Sequence, residues 1–424
     1  MTNLSRRTFL ASTAAASLPL AMPRLAFGAA GAAKVVVVGG GFGGASLARY
    51  LRRHSPAIDI TLIEKDAKFV TCPFSNGVLG GLYGIDHVTF GYDKVKAAGV
   101  NVVEDLATNI DPARKTVATS GGKSFAYDFL VLSPGIQFDW TAIQGYDEKA
   151  AEIMPHAWIA GAQTSLLRQQ LEAMEDGGLV VIGVPAMPFR CPPGPYERAS
   201  LIAHYLKGNK PKSTITILDA SDSFIKQDLF MEAWARLYPG MIKWVSASRS
   251  GAVSSVDTKT MTVSTNFDDY KPAVANIIPP QKAGQIVIDA GLDQGTGFCA
   301  IDPITFESKA QKGIYVLGDA TIAGDMPKSG FAANNQAMAC GRAILAAIAG
   351  KTPIPDKLIN VCYSTVEPDY AFEIVDEFTV TSGNIALTWQ NDRESPLKSS
   401  DDVHKREADA AKSWYANITT EMFG

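Results

Sequence analysis

Short continuous apolar runs, each closed by glycines or an acid, set the rhythm of this chain. Lys34-Val35-Val36-Val37-Val38 leads into Gly39-Gly40-Gly41-Phe42-Gly43-Gly44, then helical spacing from Ala45 to His54, then a second run from Ile58 to Ile63 that ends in Glu64. A run without polar alternation reads as a strand buried on both faces, the habit of parallel sheets covered by helices. The order strand, helix, strand predicts a βαβ unit. A second set begins at Leu179-Val180-Val181-Ile182, with a helix after Pro195 and a strand from Thr214 to Leu218. A third strand, Ile314 to Leu317, precedes Gly318-Asp319 and an alanine-rich helix from about Phe331 to Ala349. Beyond Pro353 the texture changes to β-like runs at Val361 to Val366 and Ala371 to Val380, and then to a polar end. The pattern predicts an α/β chain with two Rossmann-like nucleotide domains, one interrupted by the other, plus a smaller C-terminal α+β domain.

Composition narrows this picture. With 424 residues, 46 % hydrophobic and 19 % charged, the chain builds full cores and is not disordered. No apolar run long enough to span a bilayer occurs after the first 33 residues, so no integral membrane segment is expected. The formal charge of −4, without a basic block, argues against nucleic acid as a partner. Five cysteines are too sparse for a disulfide-stapled small domain. Ser5-Arg6-Arg7-Thr8-Phe9-Leu10 and the small-residue apolar stretch after it resemble a twin-arginine export signal over residues 1–30. Cleavage near Ala30 removes Arg6, Arg7 and Arg24 and no acid, which leaves a more acidic chain in the periplasm, where disulfides persist.

Gly39-x-Gly41-x-x-Gly44 between a strand and a helix is a dinucleotide cradle. The first glycine permits the tight turn, the second lets the backbone approach a pyrophosphate, and the third lets helix and strand pack closely. Glu64 stands at the end of the next strand, where a carboxylate accepts ribose hydroxyls. Two downstream stretches favour FAD over NAD. Tyr127-Asp128-Phe129-Leu130-Val131-Leu132-Ser133-Pro134-Gly135 resembles the strand and turn by which flavoproteins with two dinucleotide domains return to the FAD domain. Ile314-Tyr315-Val316-Leu317-Gly318-Asp319-Ala320 resembles their second FAD motif, which implies that Asp319 bonds the ribityl chain. The second βαβ unit carries a degraded fingerprint. In Gly183-Val184-Pro185-Ala186-Met187-Pro188 the two prolines replace glycines, and proline offers no N–H to a phosphate. NAD(P)H binding is therefore disfavoured there, and electrons are expected from another donor.

Cysteine is the remaining chemistry. Cys191 lies in the proline-rich Arg190-Cys191-Pro192-Pro193-Gly194-Pro195-Tyr196-Glu197, which reads as a rigid exposed loop. Cys362 opens the third domain in Asn360-Val361-Cys362-Tyr363-Ser364, and Cys72 follows Glu64 in Thr71-Cys72-Pro73. Cys299 and Cys340 read as structural.

With these motifs the chain resembles the flavoprotein subunit of flavocytochrome c sulfide dehydrogenase, a family related to sulfide:quinone oxidoreductases and the disulfide reductases with two dinucleotide-binding domains. The resemblance implies the glutathione-reductase-type fold, with an FAD-binding domain at 31–145 and 285–352, a second Rossmann-like domain without an NAD site at 146–284, and a C-terminal interface domain at 353–424. It implies FAD joined by a thioether from its 8α-methyl to Cys72, a redox-active disulfide between Cys191 and Cys362, an acid at Glu197 beside it, and Lys328 near the flavin. Gly39, Gly41, Gly44, Glu64, Gly318 and Asp319 complete the expected cofactor site. The expected reaction is oxidation of sulfide to sulfane sulfur or polysulfide. The chain has no Cys-x-x-Cys-His, so haem is expected only on a c-type cytochrome partner in a heterodimer. The rivals are a sulfide:quinone oxidoreductase, which needs a membrane-docking tail that Ser399 to Gly424 supplies poorly, and a non-catalytic flavin-containing binding subunit.

Overall fold

A computed structural model describes residues 32–389 and 394–424. The twin-arginine export signal expected over residues 1–30 lies outside the described residues. From residue 33 onward the chain forms one compact unit.

The Val35–Val38 run is the middle of a five-stranded sheet. Lys34–Val38 pairs in parallel with Asp59–Glu64 on one side and Phe129–Leu132 on the other. Asn101–Glu104 and Ile314–Val316 extend the two edges, also in parallel. Val35, Val37, Leu130 and Leu132 are fully buried, because helices cover both faces of such a sheet. The Gly44–His54 helix presents Ala45, Leu47, Ala48 and Leu51 to this core. The Gly330–Ile348 helix lies close to it through a glycine: a Cβ on Gly341 would come within 2.6 Å of the Tyr50 ring.

Between Phe129–Leu132 and Ile314–Val316 the chain builds a second parallel sheet. Its order is Ile242–Val245, Thr214–Asp219, Leu179–Val184, Val274–Ile277. An antiparallel pair, Ile136–Phe138 with Gln281–Ala283, carries the chain out and back. The architecture is thus α/β, with one Rossmann-like sheet inserted into another.

The C-terminal segment is an antiparallel meander, Leu358–Glu367, Tyr370–Thr381 and Asn384–Trp389. A helix, Asp401–Phe423, closes the chain. The polar end expected from the sequence is this helix, and one face of it is buried. His404, Ala408, Ala411, Tyr415, Ile418 and Met422 follow a helical stripe that packs into the molecule. Phe423 stacks on Phe90 at 5.3 Å and meets Tyr92 edge-on. Among the described residues no helix is long and apolar enough to cross a membrane.

Candidate functional site

The glycine loop is built for a close approach. Gly39 has φ 95°, and a Cβ there would lie 2.3 Å from the Ser133 carbonyl oxygen. A Cβ on Gly44 would lie 1.8 Å from the Gly39 oxygen, so only glycine fits at either position. A Cβ on Gly41 would press on the Phe69 ring at 3.1 Å. The helix beginning at Gly44 has no acid in its first turn, which leaves its positive dipole end to an anion. Glu64 accepts from the Gly40 amide at 2.6 Å and from the Asp66 amide at 3.1 Å, which fixes the carboxylate against the loop.

At the same carboxyl end of the sheet, beyond the edge strand Ile314–Val316, Gly318 turns with φ 70° and donates its amide to Gln336 at 2.8 Å. Asp319 follows, with Oδ2 3.8 Å from Arg190 Nη1. Burial raises its carboxyl above the usual range, against the pull of Arg190 and Lys328. Lys328 donates to the carbonyls of Asp319 at 2.9 Å and Thr321 at 2.6 Å, over the Phe298 ring. Burial brings its ammonium down to about 8. Asp319 Oδ1, Arg190 Nε and Trp158 Nε1 are buried without a hydrogen-bond partner. Such atoms are costly unless a ligand satisfies them. Together with the glycine cradle they fit a flavin dinucleotide, which Gly39, Gly41, Gly44, Glu64 and Asp319 would hold.

A cavity of about 800 Å³ lies beside this region, lined among others by Cys72, Trp158, Arg190, Cys191, Glu197 and Cys362. Cys72 reaches the Trp158 carbonyl at 3.4 Å, and the same carbonyl accepts a short bond from Arg190. The Cys191 loop is half-buried rather than exposed, because the Trp158 and Lys328 segments pack on it. The Cys191 amide donates to the Lys328 carbonyl at 2.8 Å, and its own carbonyl accepts from Gly194 at 2.8 Å. A Cβ on Gly194 would sit 2.8 Å from the Trp158 ring and 3.0 Å from the Cys191 sulfur, so the turn into the Gly194–Asn209 helix favours glycine. Cys362 stands mid-strand opposite Ile374. Cys191 and Cys362 are not joined in this structure, and both line the same cavity. Burial pushes both thiols up, and the neighbouring Cys362 and Glu197 raise Cys191 further. Cys299 and Cys340 are buried elsewhere in the core.

Glu197 occupies the first turn of its helix and ties two distant segments together. It accepts from Asn76 at 2.9 Å and from the Thr365 amide at 3.1 Å. Burial raises its carboxyl, although both bonds and the nearby Lys226 and Arg198 oppose this. Several partners were not legible beforehand. Arg198, 2 % exposed, donates to Asn76, His156, Ala157 and Asn276, and burial lowers it to about 10. Lys226 donates to the Cys362 carbonyl and to Ser364. A basic residue beside a cysteine, as in Arg190-Cys191, is a signal that could have found one of them. Lys226 and Asn76 carry no such local sign.

The second sheet has a different end. Asp219 closes the Thr214–Asp219 strand, the position where a nucleotide ribose is usually met. It is fully buried and accepts from Tyr196 at 2.5 Å, Trp244 at 2.9 Å and the Ser221 amide at 2.9 Å. Tyr196 stacks on Phe224 at 3.7 Å, with Phe230 and Trp244 packed around them. Aromatic rings thus occupy the space beside that acid.

Residues 164–279 match the family model for the sulfide dehydrogenase (flavocytochrome c) flavoprotein chain, central region. Residues 355–423 match the flavocytochrome c sulphide dehydrogenase flavin-binding model, and residues 33–183 the pyridine nucleotide-disulphide oxidoreductase model. The sulfide dehydrogenase (flavocytochrome c) flavoprotein chain of Chlorobaculum thiosulfatiphilum is 65 % identical over 48 residues, which is 11 % of this chain and 100 % of that sequence. The sulfide-quinone reductase of Aquifex aeolicus is 25 % identical over 384 residues, 81 % of this chain and 83 % of its own. The solved sulfide:quinone oxidoreductase of Aquifex aeolicus shares the fold, with a TM-score of 0.71 at 20 % identity over 92 % of each chain. The chain belongs to the family of flavocytochrome c sulfide dehydrogenase flavoproteins.

Proposed function

We propose that this chain is a periplasmic sulfide dehydrogenase subunit. It oxidises sulfide through a Cys191–Cys362 disulfide and a flavin carried on Cys72, and it passes the electrons to a c-type cytochrome subunit. One observation carries the reading: Cys72, Cys191 and Cys362 come from three distant segments and line one cavity, with Glu197 in the same wall. Hydrosulfide attacks one sulfur of the oxidised pair, the S–S bond breaks, one cysteine becomes a persulfide and the other leaves as thiolate with the bonding electron pair. Glu197 takes the proton released as hydrogen sulfide becomes hydrosulfide. Bound flavin supplies a two-electron acceptor that gives up electrons singly. Prolines at 185 and 188 and the buried Asp219 support a donor other than a nicotinamide nucleotide.

A quinone-coupled reading has one observation in its favour. Phe74, Tyr83, Phe90, Trp414 and Tyr415 give the cavity an aromatic lining that suits a planar ring. Stopped-flow absorbance separates the readings: sulfide bleaches the flavin, and a c-type cytochrome rather than a water-soluble ubiquinone analogue restores its colour. Restoration by the quinone alone supports the second reading, and no bleaching at all supports a binding subunit.

A further inference from the structure

Lys226 is 5 % exposed, yet its ammonium bonds neutral partners, the Cys362 carbonyl and Ser364 Oγ at 3.2 Å. Its backbone is left-handed, φ 61°, at the cap of the Gln227–Leu237 helix, and its ammonium lies 5.6 Å from the centre of the Phe372 ring. Side chains alternate along a strand, so Cys362 and Ser364, two residues apart, point to the same face. An ammonium bonded to the Ser364 hydroxyl therefore stands on the face where the Cys362 sulfur lies. Glu197 and Glu407 feel its charge from a distance but do not bond it, and a buried ammonium whose bonds go to neutral groups is stabilised when an anion joins it.

We propose that Lys226 is a positioning residue for Cys362: its ammonium fixes the strand that bears this cysteine and holds the sulfur in anionic form, as thiolate or persulfide. The other groups facing this thiol act against it. Burial, Glu197 from the neighbouring helix and Asp376 from the adjacent strand all raise the thiol, while Lys226 lowers it. The Cys191 thiol shares the cavity. On this account Lys226 is the charge that stabilises the anionic form of the Cys362 sulfur, whichever form the cycle leaves there. The role of Cys362 rests on the function proposed above; the electrostatic claim does not.

The test is the pH profile of alkylation at Cys362 in the full flavin-loaded chain, reduced first and read peptide by peptide in a mass spectrometer. Lys226→Gln keeps a hydrogen-bond donor and removes the charge. It is expected to move the Cys362 midpoint to higher pH and to slow alkylation at neutral pH about tenfold, the scale of a lysine's effect on a thiol. Lys226→Arg keeps the charge and is expected to stay close to the wild type. An unchanged midpoint in Lys226→Gln overturns the proposal. If that variant does not fold, Ser364→Ala decides: removing the side-chain bond that holds the ammonium on the Cys362 face, with only the Cys362 carbonyl left to it, is expected to raise the midpoint, and an unchanged midpoint again overturns it. A wild type whose flavin sulfide fails to bleach removes the functional reading alone and leaves the alkylation result standing.

Discussion

Glu197 joins the helix that follows Cys191 to the strand that carries Cys362, through Asn76 and the Thr365 amide. Replacing it by glutamine turns an NH₂ group toward one of those two donors. One bond is lost, at a cost of about 1–3 kcal/mol in a buried site. Chemical denaturation is expected to show that loss. Burial raises the Glu197 carboxyl, so the native state holds a proton there that the unfolded chain has released. Stability from this group therefore falls as pH rises from the ordinary glutamate range through the raised value, and the slope is expected to vanish in Glu197→Gln. The rate of sulfide-driven flavin reduction is expected to fall on the order of 10²-fold in that variant, the low end of general acid–base contributions. Glycine positions were plain in the sequence because their reason is local. Gly44→Ala would place a Cβ 1.8 Å from the Gly39 oxygen, and loss of bound flavin on gel filtration is the expected outcome. Arg198, Asn76 and Lys226 were not plain, because each is explained only by partners from remote segments.

The C-terminal helix shows the same limit one level up. Its buried stripe is made of His404, Ala408, Ala411, Tyr415 and Thr419 as much as Ile418 and Met422, and charged residues alternate with it. Without leucine or valine on the stripe, composition reads as a polar tail although the spacing is helical. The helix holds the Cys72 loop. Tyr415 shares a hydrogen bond with Thr71 at 2.6 Å and stacks on Phe74 at 4.2 Å. Phe423→Ala is expected to destabilise the protein by about 3–5 kcal/mol, the usual loss for a buried phenylalanine, measured by urea unfolding. The strands were legible as unbroken valine and isoleucine runs, since both faces of the two parallel sheets are covered. In the second sheet the same runs survive, with Pro185 and Pro188 after the Leu179–Val184 strand. Asp219 is held by Tyr196 and Trp244. NADH is accordingly expected to reduce the flavin far more slowly than sulfide does, and rapid bleaching by NADH in a stopped-flow trace contradicts this.

At the scale of the whole molecule, the first sheet supplies the cradle, the inserted sheet brings Cys191 and Glu197, and the C-terminal meander brings Cys362. The sequence shows each piece but not their meeting, since Cys191 and Cys362 are joined by no local pattern and come together only where the meander folds back over the cavity. If Cys72 carries the flavin, acid-denatured protein is expected to keep flavin fluorescence on the polypeptide, and Cys72→Ser to release it. The central claim is that the Cys191–Cys362 couple delivers electrons from sulfide to the flavin. An anaerobic sulfide titration, followed by flavin absorbance in wild type and Cys362→Ser, tests it most directly. The account predicts full bleaching in the wild type and none in the variant, with flavin still bound because the glycine loop is untouched. Bleaching of Cys362→Ser at the wild-type rate would contradict it.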